Sequence, residues 1–172
     1  MNGHFSIQIA TLDDIDNIVR MRLSLQQHMF KNNSHLWQMS RKKVSSLPTF
    51  YRSVIEHRDS QLLIAKDGKS RSIIGMAIGR ICVHDEYVPN KSGRIDDVWI
   101  EPNYRRKGLA TRLVSELLEF FKVNHIGVII LEYAKGNIEA EAIWERFGFE
   151  PVLTIATANL SDLEIISKEQ KT

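Results

Sequence analysis

The stretch from Val98 to Ala110 constrains this chain more than any other. Val98, Trp99 and Ile100 form an apolar, strand-like run that halts at Pro102. A short basic turn follows, Arg105-Arg106-Lys107, and Gly108 closes it. Leu109, Leu113, Val114, Leu117, Leu118 and Phe121 then recur at helical spacing. Strand, basic turn, glycine and helix, in that order, build an anion hole. The first N–H groups of a helix lack intrahelical acceptors and sit at the positive end of its dipole, so a phosphate is favoured there. Gly108 lets the main chain approach closely, and Arg105, Arg106 and Lys107 add positive charge. Basic turns before helices are commonly just solvated surface, so the residue types around this one carry the weight.

The rest of the chain supplies elements to surround that unit. Phe5 to Ile9 alternates like a strand. Thr11 and Asp14 resemble a capping box, ahead of a helix carrying Ile15, Ile18, Val19, Arg22 and Leu23. Residues 31–47 read as a helix and loop anchored by Leu36, Trp37 and Val44, and Pro48 as the first residue of a further helix. Residues 61–66 and 72–79, around Asp67-Gly68, read as a β-hairpin with an Asp-Gly turn. A strand is expected from Arg94 to Ile100, a central strand at Val128–Leu131, a helix from about Ile138 stopped by Gly148, and a last strand over Val152–Thr157. Within Arg94–Ile100 the apolar parity switches between Ile95 and Val98. Either a β-bulge near Asp96-Asp97 restores one buried face, or Ile95 faces a second buried side.

Length and composition bound the class. A chain of 172 residues suits one domain, residues 1–172, with a polar tail from about 159 expected to fray. A net charge of +2 asks for neither a nucleic acid nor a membrane surface, and the basic residues of the turn are not spread among exposed aromatics. Cys82 alone permits no internal disulfide, and no apolar run approaches a membrane span. The first residues lack the apolar core of a signal peptide, so a cytoplasmic protein is expected. His4, His28, His35, His57, His84 and His125 show no metal-ligand spacing, and no metal is expected.

Arg105-x-x-Gly108-x-Ala110 resembles the acyl-CoA pyrophosphate loop of the GNAT superfamily of N-acyltransferases, Arg/Gln-x-x-Gly-x-Gly/Ala. Trp99-Ile100-x-Pro102-x-Tyr104-Arg105 is similar to its lead-in. Asn137 to Phe149 resembles the family's Asn-x-x-Ala-x-x-x-Tyr-x-x-x-Gly-Phe segment, with Trp144 at the tyrosine position. The resemblance covers roughly residues 60–150 and fades over the first sixty. It implies an α/β fold, a mixed and mostly antiparallel sheet splayed between two central strands and flanked by helices. It implies acetyl-CoA as co-substrate, held by Val98, Trp99 and Ile100, by Arg105, Arg106, Lys107, Gly108, Leu109, Ala110 and Thr111, and by Asn137 and Trp144. The partner it implies is a primary amine on a small molecule or a protein N-terminus. A homodimer stays open.

Such a transfer needs a base, because an ammonium cannot attack. Glu132, Asp96 and Asp97 are the candidates. The resemblance points to Glu132 through its Leu131-Glu132 context, as in ribosomal-protein N-terminal acetyltransferases, and to the aspartates through other branches. Adjacent aspartates on a regular strand point to opposite faces, so one at most is expected in the cleft. The family's usual acid is a phenol. The Trp144 indole can donate a hydrogen bond but is no proton source, which leaves Tyr133, Tyr104 or water beside the thiolate. That departure also admits a second class, a non-catalytic acyl-CoA-binding or sensing module.

Overall fold

A computed structural model of the chain describes residues 5–32, 38–161 and 163. It divides into two compact units, Met1–Asn137 and Ile138–Thr172. The first holds a five-stranded sheet in the order β1-β2-β3-β4-β5. Its strands are β1 (Phe5–Ile9), β2 (Ser60–Asp67), β3 (Ile73–Val83), β4 (Lys91–Ile100) and β5 (Ile129–Leu131). All neighbours run antiparallel except β4 and β5, which run parallel. Helices α1 (Ile15–Asn32), α2 (Arg41–Glu56) and α3 (Leu109–Val123) belong to the same unit. Among the described residues no helix is long and apolar enough to cross a membrane.

Each face of the sheet is covered by its own helices. Ile18 and Met21 of α1 and Leu47, Tyr51 and Val54 of α2 form one core with Leu62, Ile64, Met76, Ile78 and Trp99. The buried stripe of α3, Leu109, Leu113, Val114, Leu117 and Phe121, lies where its spacing places it. A Cβ on Gly93 would stand 2.8 Å from the Phe121 ring, so only glycine lets α3 come so close to β4.

The start of the chain follows its capping signal. The Asp14 carboxylate accepts from the Thr11 N–H at 2.9 Å and the Thr11 hydroxyl at 3.0 Å, and pairs with Lys66 at 3.3 Å. Burial alone would raise the Asp14 pKa, but these donors outweigh it and hold the carboxyl below its ordinary value.

Four expectations change. Helix α2 does not begin at Pro48. It begins at Arg41, where the Ser40 side chain accepts from the Lys43 N–H at 3.2 Å, and Pro48 sits inside it. Burial of Leu47, Tyr51 and Val54 on either side of Pro48 outweighs the one missing N–H. The β2–β3 hairpin has no two-residue Asp-Gly turn. Pairing ends at Lys66↔Ile73, and the Asp67 carboxylate closes a wider loop by accepting from the N–H groups of Lys69 and Ser70. Strand β5 ends the sheet order rather than lying at its centre. Val152–Thr157 forms no strand, and Val152, Leu153 and Ile155 are exposed. Leu36, Trp37 and the tail beyond 163 lie outside the described residues.

The second unit holds α4 (Ile138–Arg146). Gly148, at φ +84°, stops that helix as its position in the sequence suggests. Trp144 is buried and meets the Phe149 ring edge-on, with centroids 5.6 Å apart.

Candidate active site

The site grows from an irregularity in β4. Its pairing with β3 shifts register between Met76 and Ile78, so Asp97 and Val98 stand opposite Ala77 alone. That is a β-bulge, and it decides between the two sequence readings of the parity switch. Asp97 carries the strain at φ +48°, a region that aspartate tolerates better than most residues. Pairing of β4 with β5 ends at Ile95↔Leu131, so the two strands part beyond that point. Val98, Trp99 and Ile100 of β4 and Glu132 after β5 therefore lie where the sheet opens.

The bulge also corrects the expectation that Asp96 and Asp97 oppose each other across the sheet. Both reach the face covered by α1 and α2, because the extra residue places two successive side chains on one side. Asp96 accepts from Arg80 at 2.6 Å and from Arg94 at 2.9 Å. Arg94 also pairs with Glu132 at 3.0 Å, so charges alternate from β3 through β4 to the end of β5. Burial would lower the Arg94 pKa, but the facing carboxylates raise it. Asp97 accepts from the Tyr51 hydroxyl at 2.9 Å and pairs with Arg22 at 3.1 Å. Burial pushes the Asp97 carboxyl above its ordinary value, and Arg22 and Tyr51 offset only part of this. Burial and the Asp97 charge push the Tyr51 phenol up. Glu132 is the open member of the three acids, with its side chain 65% exposed.

The anion hole is built at the far end of β4. A 3-10 turn at Pro102–Tyr104 leads to Gly108, which adopts φ +75° and caps α3. The Arg112 N–H reaches back to the Gly108 carbonyl at 3.1 Å, so the N–H groups of Leu109, Ala110 and Thr111 form the helix entrance. A Cβ on Gly108 would meet nothing within 4 Å, so open space fronts the entrance. Two basic side chains fold back onto the protein. Arg105 stacks on the Trp99 ring at 4.7 Å and donates to the Ile100 carbonyl at 3.1 Å. Lys107 donates to the Asn103 carbonyl at 2.8 Å and lies over Tyr104. Their charges stay beside the entrance while their side chains brace the turn. Trp99 is buried and edge-on to His28 of α1, and its indole N–H has no partner among the described residues.

An anionic diphosphate with a long polar arm fits these residues. The helix entrance offers N–H donors and open space for the phosphates, and the parted β4 offers main chain for the arm. Asn137 closes the first unit, where its N–H donates to the Ala134 carbonyl at 3.1 Å. Arg22, Tyr51, Arg80 and Arg94 carry no sequence motif. Arg22 and Tyr51 meet Asp97 from α1 and α2, far away in the chain, and no local spacing announces such a meeting.

The profile of the acetyltransferase (GNAT) family matches residues 23–149, and the chain belongs to that family. Acetyl transfer is the chemistry that membership supports. No curated protein sequence matches the chain. Among solved structures, a predicted acetyltransferase with acetyl-CoA from Clostridium acetobutylicum superposes with a TM-score of 0.73 at 18% identity, over 92% of this chain and 98% of that one. Glucosamine-6-phosphate N-acetyltransferase from Arabidopsis thaliana gives 0.68 at 15% identity, over 91% and 99%. Aminoglycoside antibiotic 6'-N-acetyltransferase from Acinetobacter baumannii gives 0.69 at 18% identity, over 91% and 97%. At these identities the likeness shows the fold.

Proposed function

We propose that this protein transfers an acetyl group from acetyl-CoA to a primary amine, on a small molecule or a protein N-terminus. One observation carries the reading. The bulged strand β4, parted from β5, leads directly into the open, glycine-capped entrance of α3. When bound, acetyl-CoA supplies an acetyl group activated as a thioester. The main-chain N–H groups from Arg106 to Thr111 hold its pyrophosphate, with Arg105, Arg106 and Lys107 adding charge. The main chain of Val98, Trp99 and Ile100 orients the pantetheine arm. Asn137 completes the cofactor contacts by family likeness.

Glu132 takes the proton from the acceptor's ammonium. It is exposed at the mouth of the strand opening, where it pairs with Arg94 at 3.0 Å. Asp96 and Asp97 are the alternatives, but each is far less exposed than Glu132 and held by two partners, Asp96 by Arg80 and Arg94 and Asp97 by Arg22 and Tyr51. Two structural neighbours named for N-acetylation, of glucosamine-6-phosphate and of aminoglycosides, are consistent with an amine acceptor.

Gly108→Asp tests the loop. It sets a carboxylate in the open space before the helix entrance and replaces a residue at φ +75°. Calorimetry of the folded variant should show acetyl-CoA affinity strongly reduced, and unchanged affinity would sink the assignment. An acetylation screen across a panel of amines then identifies the acceptor. A second reading, a non-catalytic acyl-CoA sensor, is favoured by Trp144 standing where the family has a phenol. Binding of acetyl-CoA with no transfer to any amine would decide for it.

A further inference from the structure

Asp97 is the residue whose surroundings the acetyl-transfer chemistry leaves unexplained. It sits at the bulge in a left-handed conformation, φ +48°. Its carboxylate is largely buried and engaged from two directions, by Arg22 of α1 at 3.1 Å and by the Tyr51 hydroxyl of α2 at 2.9 Å. Tyr51 is itself fully buried, and Arg22 mostly so. The other charged groups acting on Asp97 are Asp96 on its own strand and Arg80 on β3. A proton acceptor for an incoming amine needs access, and Asp97 has little. It has instead the features of an anchor. It pins one point of a strand to two helices, directly before the three residues whose main chain faces the strand opening.

We propose that Asp97 is a positioning residue. Through Arg22 and Tyr51 it fixes the bulge, and so sets the path of Val98–Ile100 that receives the acyl-CoA arm. The proposal rests on the acetyl-CoA reading for its ligand but not for its geometry. It also links α1 and α2 to the cofactor strand, so a change at Arg22 or Tyr51 is transmitted to Val98–Ile100.

Four variants separate the contributions. Asp97→Gly keeps the left-handed backbone but removes the anchor. Asp97→Asn keeps the shape and removes the charge. Asp97→Ala removes the anchor and disfavours the conformation. Tyr51→Phe removes a single hydrogen bond and is the variant safest for folding. Amide hydrogen exchange of the ligand-free protein should show residues 97–100 exchanging faster in Asp97→Gly, Asp97→Ala and Tyr51→Phe, with β2 unchanged. Calorimetry should show acetyl-CoA binding weakened about tenfold or more in Asp97→Gly and Asp97→Ala. Wild-type exchange and wild-type affinity in Asp97→Gly and Tyr51→Phe would overturn the proposal. So would Asp97→Asn with unchanged exchange and affinity but turnover reduced by a general base's worth, roughly a hundredfold or more, since that marks a proton acceptor. If the wild-type protein itself does not bind acetyl-CoA, the cofactor reading fails, and the exchange result still decides the positioning role.

Discussion

Three carboxylates within a few residues of the strand opening have three different environments, and the environments assign them different behaviour. Glu132 is open to an acceptor, so Glu132→Gln should lower turnover by roughly 10²–10⁴-fold at neutral pH, with acetyl-CoA affinity nearly unchanged. Steady-state rates on the acceptor found by screening check this, and near-normal turnover would return the role to Asp96, Asp97 or water. Asp97 responds to pH in the opposite sense to Asp14, whose pKa is lowered. Its folded pKa is raised, so its contribution to stability is greatest below the unfolded value and is lost as pH rises through the folded one. Denaturation of wild type and Asp97→Asn at several pH values should therefore show wild type gaining on the variant as pH falls from neutral toward 3.8, the unperturbed value. Trp144 is buried against Phe149, which favours a wall over an acid. Trp144→Tyr should leave turnover near wild type, while Trp144→Ala should cost about 3–5 kcal/mol of stability. A clear rise of turnover in Trp144→Tyr, with stability unchanged, would show that a phenol is wanted there.

Among the elements, the start of α1 depends on its cap. Because the Asp14 pKa is lowered, its stabilisation is present above the unfolded value of 3.8 and lost as pH falls through the folded one. Asp14→Asn should cost about 1 kcal/mol near neutral pH, the usual worth of a cap, and the difference should shrink on acidification. Urea melts at two pH values measure it. This capping motif was legible because its residues are neighbours in the chain. Helix α3 and the Gly108 turn were legible for the same reason, and so was the parity break in β4, with a bulge near Asp96-Asp97 as one of its two readings. Burial of Asp97 by Arg22 and Tyr51 was not legible, because it exists only once two helices have packed on the sheet. The same blindness misplaced the start of α2. Proline argues locally for a helix beginning, and only the buried residues flanking Pro48 show that the helix runs through it.

For the whole molecule, burial divides the chain sharply. The middle of β2 and most of β3 are buried, whereas Val152, Leu153 and Ile155 stand exposed beyond α4. Their alternation looks like a strand, and a sequence pattern cannot tell an available strand from a formed one. Lysine at Val152 or Ile155 should change stability by no more than about 0.5 kcal/mol in thermal melts, as at other exposed positions. A larger loss would show that the segment packs in solution. The bulge of β4 has a last consequence at this scale. A strand keeps time by twos, and the extra residue at Asp97 is a skipped beat. Before it the count serves the sheet, with Ile95 turned toward a buried face; after it the count is reset, and Trp99 reaches the α1 and α2 core. Deleting Asp97 would leave Val98 opposite Ala77, with Trp99 still opposite Met76 and Ile100 still opposite Gly75, each on the side it holds now. The skipped beat thus changes the melody at one note only: every later position of the strand keeps its facing, and what the extra residue adds is a single carboxylate turned toward two helices.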